Sequence, residues 1–151
     1  MMNRPATTSA GPEVYLRTMR ILWVSFLICV GLFFLVTWLT RPSELPDELD
    51  RGGHPLLYVL AGLALSSVGA SFLAKAGFYR RAAEQQQPVL VQAGFTLATA
   101  LCEAGVLMGL VGVFVTRNDA AYLLFVLGAL GMLLHFPRRE QVEAAFRKSL
   151  M

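Results

Sequence analysis

The chain has 151 residues, 56% of them hydrophobic and only 15% charged, with a formal net charge of +3 and a mean hydropathy of +0.57. That balance excludes an ordinary soluble domain, because too few charged side chains remain to clothe a water-facing surface. A bilayer is the solvent it fits.

Four apolar stretches predict helices over about 15–40, 55–79, 88–116 and 120–137, and a short tail helix is predicted over about 138–150. Each long stretch approaches or exceeds the ~20 residues needed to cross ~30 Å of hydrocarbon. None alternates as a barrel strand would, and an open sheet cannot satisfy its backbone in lipid. The predicted fold class is therefore an all-α integral membrane protein, a single four-helix transmembrane bundle with an interfacial C-terminal helix.

In the first segment a basic stretch precedes the apolar run, as in a secretory signal. The run is long, however, and its Thr40–Arg41–Pro42 exit has no small-residue cleavage pattern, so a retained anchor is expected. Trp23 and Trp38 lie about 22 Å apart on a helix, the spacing of two aromatic belts. The following linker is acidic, with Glu44, Asp47, Glu48 and Asp50.

The second segment repeats small residues every fourth position, at Gly62, Ser66, Ala70 and Ala74, with Ser67 and Ser71 on an adjoining strip. Such a row lets another helix approach closely. In the third segment Gln92, Thr96, Thr99 and Glu103 fall within about 60° of one another at 100° per residue, a polar stripe reaching mid-membrane. Its other side carries Ala98, Cys102, Gly105, Gly109 and Gly112, a packing face containing GxxxG. Glu103 is the one charged side chain near the middle of this run, and a carboxyl at that depth is costly enough to mark function. Ser67 should lie at the depth of Glu103. Two roles are weighed for the carboxyl: ion handling, with Glu103, Thr99, Thr96, Gln92 and Ser67 as the site, or a hydrogen bond to such hydroxyls that only holds the hairpin together.

Cys29 and Cys102 have no CxxC spacing, so neither a disulfide framework nor a metal site is expected. His54 and His135 fall at opposite membrane faces and cannot share a haem. A pigment or haem on either one is the minor expectation, beside capping or interfacial hydrogen bonding. No other cofactor is expected beyond bound lipid. Nucleophile triads, phosphate loops and metal-ligand clusters are absent from the sequence, and no enzyme is read here. In the tail, Val142, Phe146 and Leu150 recur at helical spacing while Glu143 and Arg147 form an (i, i+4) pair, the pattern of a helix on the membrane surface.

Lys and Arg divide unevenly. The N-terminus, second linker and tail hold Arg4, Arg17, Arg20, Lys75, Arg80, Arg81, Arg138, Arg139, Arg147 and Lys148, against Arg41, Arg51 and Arg117 elsewhere. The positive-inside rule then puts both termini and the linker near Arg80–Pro88 in the cytoplasm and the chain in the inner membrane. The charge excess is accounted for by this sidedness, and no nucleic-acid partner is implied.

The stretch Ala61–Val115 resembles the hairpin of the rotary ATP synthase c subunit, through a small-residue helix, a polar loop ending Gln86–Gln87–Pro88, and the run Ala98–Thr99–Ala100–Leu101–Cys102–Glu103–Ala104–Gly105–Val106–Leu107–Met108–Gly109–Leu110–Val111. The resemblance implies that Glu103 is a proton- or sodium-binding carboxylate and that the loop at Gln87 and Pro88 faces a cytoplasmic partner. The flanking stretches Ile21–Thr40 and Ala120–Pro137 have no counterpart in a two-helix c subunit. Two functions are expected in order: a non-catalytic accessory subunit of a larger, energy-converting membrane complex, packing against other integral membrane subunits, lipid or a second copy, and then a proton- or sodium-translocating proteolipid. Cysteines introduced at Ser43 and Gln86 should be labelled from opposite sides by a membrane-impermeant thiol reagent. Labelling from one side would refute the orientation.

Overall fold

The computed structural model describes residues 11–40 and 53–146. All its regular structure is helical: α1 (Pro12–Leu39), α2 (Gly53–Gln85), α3 (Pro88–Thr116), a 3-10 turn (Asp119–Ala121), α4 (Tyr122–Leu134) and α5 (Arg139–Phe146). Three of these helices, α1, α2 from Pro55, and α3, are long and apolar enough to cross a membrane, and α4 with its leading turn is a shorter apolar helix. They mark the chain as a membrane protein.

Local chemistry sets the boundaries. Pro12 and Pro88 open α1 and α3, where the missing N–H is no loss and φ is already helical. Between α2 and α3 the turn is only two residues long. Gln86 adopts left-handed φ of 54°, the Gln87 N–H donates to Ala82 O at 3.2 Å, and Gln87 is extended because a residue preceding proline avoids the α region. α2 thus runs six residues beyond the Tyr79 end expected from hydropathy, since Arg80–Gln85 are good helix formers and nothing before Gln86 breaks the ladder. At the far end, Arg117 is again left-handed (φ 51°), and the Asn118 side chain accepts from the Ala120 N–H at 2.8 Å to start the 3-10 turn.

α3 is the central helix. Ala98, Cys102, Gly105, Gly109 and Gly112 are all buried. A Cβ on Gly105 would meet Val68 of α2 at 3.3 Å, and one on Gly109 would meet Leu124 and Phe125 of α4 at 3.1 and 3.0 Å. Gly128 and Gly131 of α4 return the contact. A Cβ on Gly128 would run into Val106 and lie 2.9 Å from Cys102 O, and one on Gly131 would sit 3.0 Å from Cys102 Sγ. Neighbouring side chains, and at Gly128 the backbone of α3, therefore press directly on the glycine backbone, which adds dispersion where lipid offers no hydrophobic drive between helices.

α2 turns a different face inward from its small-residue row. Leu57, Leu60, Ala64, Val68, Ser71 and Ala82 are buried, whereas Gly62, Ser66 and Ala70 are exposed and Ala74 is half-buried. A second apolar group, Leu16, Met19, Ala82, Val91, Phe95 and Val142, gathers the start of α1, the α2–α3 hairpin and α5 at one end of the bundle. Val142 is buried among the bundle's own helices, so α5 docks on protein here. Glu143 pairs with Arg139, which also reaches Glu13 of α1 at 3.0 Å. Arg147 and Leu150, and the side chain of Phe146, lie outside the described residues.

Gly128→Ala should therefore lower stability in detergent by about 1–3 kcal/mol, because the new methyl meets backbone. Gly62→Ala, with nothing within 4 Å of the added atom, should be neutral or stabilising by up to ~1 kcal/mol. Thermal unfolding of the two variants checks this, and equal losses would contradict the packing.

Candidate functional site

Glu103 stands half-buried on α3, between the packed face and the outside of the bundle. No hydrogen bond or ion pair holds its carboxyl among the described residues. Ser67 does not reach it: the Ser67 hydroxyl donates to Leu101 O at 2.8 Å, on the α2 side of α3. Thr99 is buried and donates to its own helix, at Phe95 O (3.1 Å) or Thr96 O (3.0 Å). Helix geometry accounts for the difference, since Leu101 faces α2 and Glu103, two residues on, is turned about 160° away. Gln92 and Thr96 continue the stripe as half-buried residues, lining a shallow groove with Val89, Ala93, Leu97 and Ala100. Four of the five stripe and strip residues, Gln92, Thr96, Thr99 and Glu103, thus share one side of α3, and Ser67 stands apart.

A second polar group lies inside. Ser71 Oγ donates to Val68 O at 2.6 Å, which leaves its lone pairs to accept from His135 Nε2–H (2.8 Å) and from the Cys102 thiol (3.5 Å). All three side chains are buried. The Phe72 ring tilts over His135 with centroids 4.4 Å apart. With Nε2 engaged by Ser71, that nitrogen of His135 is not free to ligate a haem or pigment. The side chain of His54 lies outside the described residues. Cys29 and Cys102 are both free thiols, and no group of three or more metal-ligating side chains occurs among the described residues.

This cluster sits where α4 ends, and the surrounding side chains satisfy its last carbonyls. Trp23 Nε1 donates to Met132 O at 3.0 Å, and its ring meets Phe136 edge-on at 5.1 Å. Lys75 Nζ reaches His135 O at 3.5 Å and lies 5.4 Å from the Tyr79 ring centroid. Trp23 is therefore a half-buried α1–α4 link as well as an aromatic near a segment end. At the other end, Trp38 and Phe34 join Tyr122 and Phe125 in an aromatic cluster. Ser67, Ser71, Lys75 and Tyr79 recur every fourth residue on α2, a signal visible in the sequence. The partners of three of them, Leu101 O on α3 for Ser67 and His135 at the end of α4 for Ser71 and Lys75, are not.

No protein-family model, characterised protein or solved structure matches this chain.

Ser71→Ala should cost about 1–3 kcal/mol, because it strands the buried His135 N–H and Cys102 thiol. Ser66→Ala removes only a bond to Gly62 O on its own helix and should change stability by less than ~0.5 kcal/mol. Thermal melts of the pair decide whether the internal cluster holds α4 in place.

Proposed function

We propose that the chain is a non-catalytic accessory subunit of a larger, energy-converting membrane complex, inserted in the inner membrane with both termini cytoplasmic, and that other integral membrane helices cover its α2 row. The observation carrying this is a contrast between two sets of glycines. Gly94, Gly105, Gly109, Gly112, Gly128 and Gly131 are filled by neighbours of the same chain, whereas Gly62, Gly69 and Gly77 have nothing within 4 Å of a built Cβ. Gly62, Ser66 and Ala70 are exposed together, and the Ser66 hydroxyl is already satisfied by Gly62 O at 2.7 Å. A flat surface with no unmet hydrogen bond gains dispersion from a close helix that disordered acyl chains do not match.

Glu103 supports a second reading, the proton- or sodium-translocating proteolipid implied by the resemblance to the c subunit. Its half-buried carboxyl has no partner among the described residues, and the groove beside Gln92 and Thr96 reaches Ala100, about one turn before it. A neighbouring subunit would complete such a site.

Affinity purification of the full chain in mild detergent tests the first reading. Companion membrane proteins should co-purify with the unaltered chain and fall at least ~tenfold with Gly62→Leu/Ala70→Leu, a loss of about 1.4 kcal/mol or more in association. An unchanged set of companions would defeat it. Glu103→Gln keeps shape and hydrogen bonding without a titratable group, and Glu103→Ala keeps neither. Loss of ion-coupled activity in the Gln variant with assembly intact would replace the accessory role by the ion-carrying one.

A further inference from the structure

We infer that Lys75 and Arg138 form a binding site for the phosphate-bearing headgroup of an anionic phospholipid, at the level where α4 ends. Arg138 follows the buried Pro137 in the link between α4 and α5 and is exposed. Lys75 comes from α2, half-buried, and its ammonium reaches the carbonyl of His135, three residues before Arg138 in the chain. Neither has an acidic partner among the described residues. Two of the other cations at this end do: Arg80 meets Glu84 at 3.6 Å, and Arg139 meets Glu13 at 3.0 Å. Two cations brought together at the edge of a low-dielectric region, with no carboxylate between them, are stabilised by an incoming anion.

The Lys75 ammonium spends one donor on a long bond to His135 O, 3.5 Å, and a lysine has three. The remaining N–H groups and the Arg138 fork suit phosphate oxygens. Hydrocarbon lies on the correct side. Phe72, one turn from Lys75 toward mid-membrane, is 41% exposed, and Leu134, just before His135, is 70% exposed. A soluble phosphate has no use for those surfaces, whereas the acyl chains of a lipid do. Basic pockets between helices at the cytoplasmic side hold lipid headgroups by this chemistry. The inference rests on the proposed membrane orientation, which the labelling of Ser43 and Gln86 positions tests separately.

The full chain is reconstituted in nanodiscs of phosphatidylcholine with a minority of phosphatidylglycerol, extracted in mild detergent, and its bound lipid counted by native mass spectrometry. Retention of phosphatidylglycerol over phosphatidylcholine should fall about fivefold in Arg138→Gln and ~tenfold or more in Lys75→Gln/Arg138→Gln. Arg80→Gln should leave it unchanged. Because Lys75 also caps α4, Lys75→Arg and the exposed-site Arg138→Gln keep the test valid if Lys75→Gln unfolds. Lys75→Arg should retain the lipid. Unchanged retention in Arg138→Gln, an equal loss in Arg80→Gln, or displacement of the lipid by inorganic phosphate alone would overturn the assignment.

Discussion

A helix that ends against its neighbours leaves its last carbonyls without partners unless the surrounding protein supplies them. α4 and its leading turn, from Asp119 to Leu134, rise only about 24 Å. Four donors answer for its end: the chain's own N–H groups of His135 and Phe136, the Trp23 indole and the Lys75 ammonium. Those side chains come from α1 and α2, so satisfying α4 also fixes where both of them stand. The cation at a helix C-terminus adds a favourable dipole interaction. Around this point the glycine faces of α3 and α4 close, and the His135–Ser71–Cys102 group fills the space between them.

Much of this was legible along the chain, and the unread part has a physical cause. Pro12 and Pro88 announce their helices because proline is preorganised for the first turn. The glycine face of α3 could be read because its other side carries Gln92, Thr96 and Glu103, which breaks the symmetry between faces. α2 offers no such contrast. Its inward Ala64 and Val68 and its outward Gly62, Ser66 and Ala70 are all acceptable to both lipid and protein, so periodicity does not say which row is buried. Pairings such as Ser71 with His135, 64 residues apart, depend on how α4 lies across α2. No local pattern encodes that.

Glu103 illustrates the same limit at the candidate site. Its depth follows from counting residues, and its azimuth relative to Thr99 from the helical period. Whether Ser67 meets it depends on the rotation of α2 about its own axis, and that rotation aims Ser67 at Leu101 O. The carboxyl is left at the margin of the bundle, while the hydroxyls of Ser67 and Thr99 stay bound to backbone.

The two-residue turn at Gln86–Gln87 also bears on the order in which the molecule is built. α2 and α3 are neighbours in sequence and make the most extensive of the helix pairings, so their contacts close short loops and cost little chain entropy. α1 meets α3 and α5 only across long separations, and its tie to α5, Glu13 to Arg139, is exposed and weak. Loop-closure entropy therefore favours the hairpin as the first part to form, with α1 and α5 closing over it as a clasp.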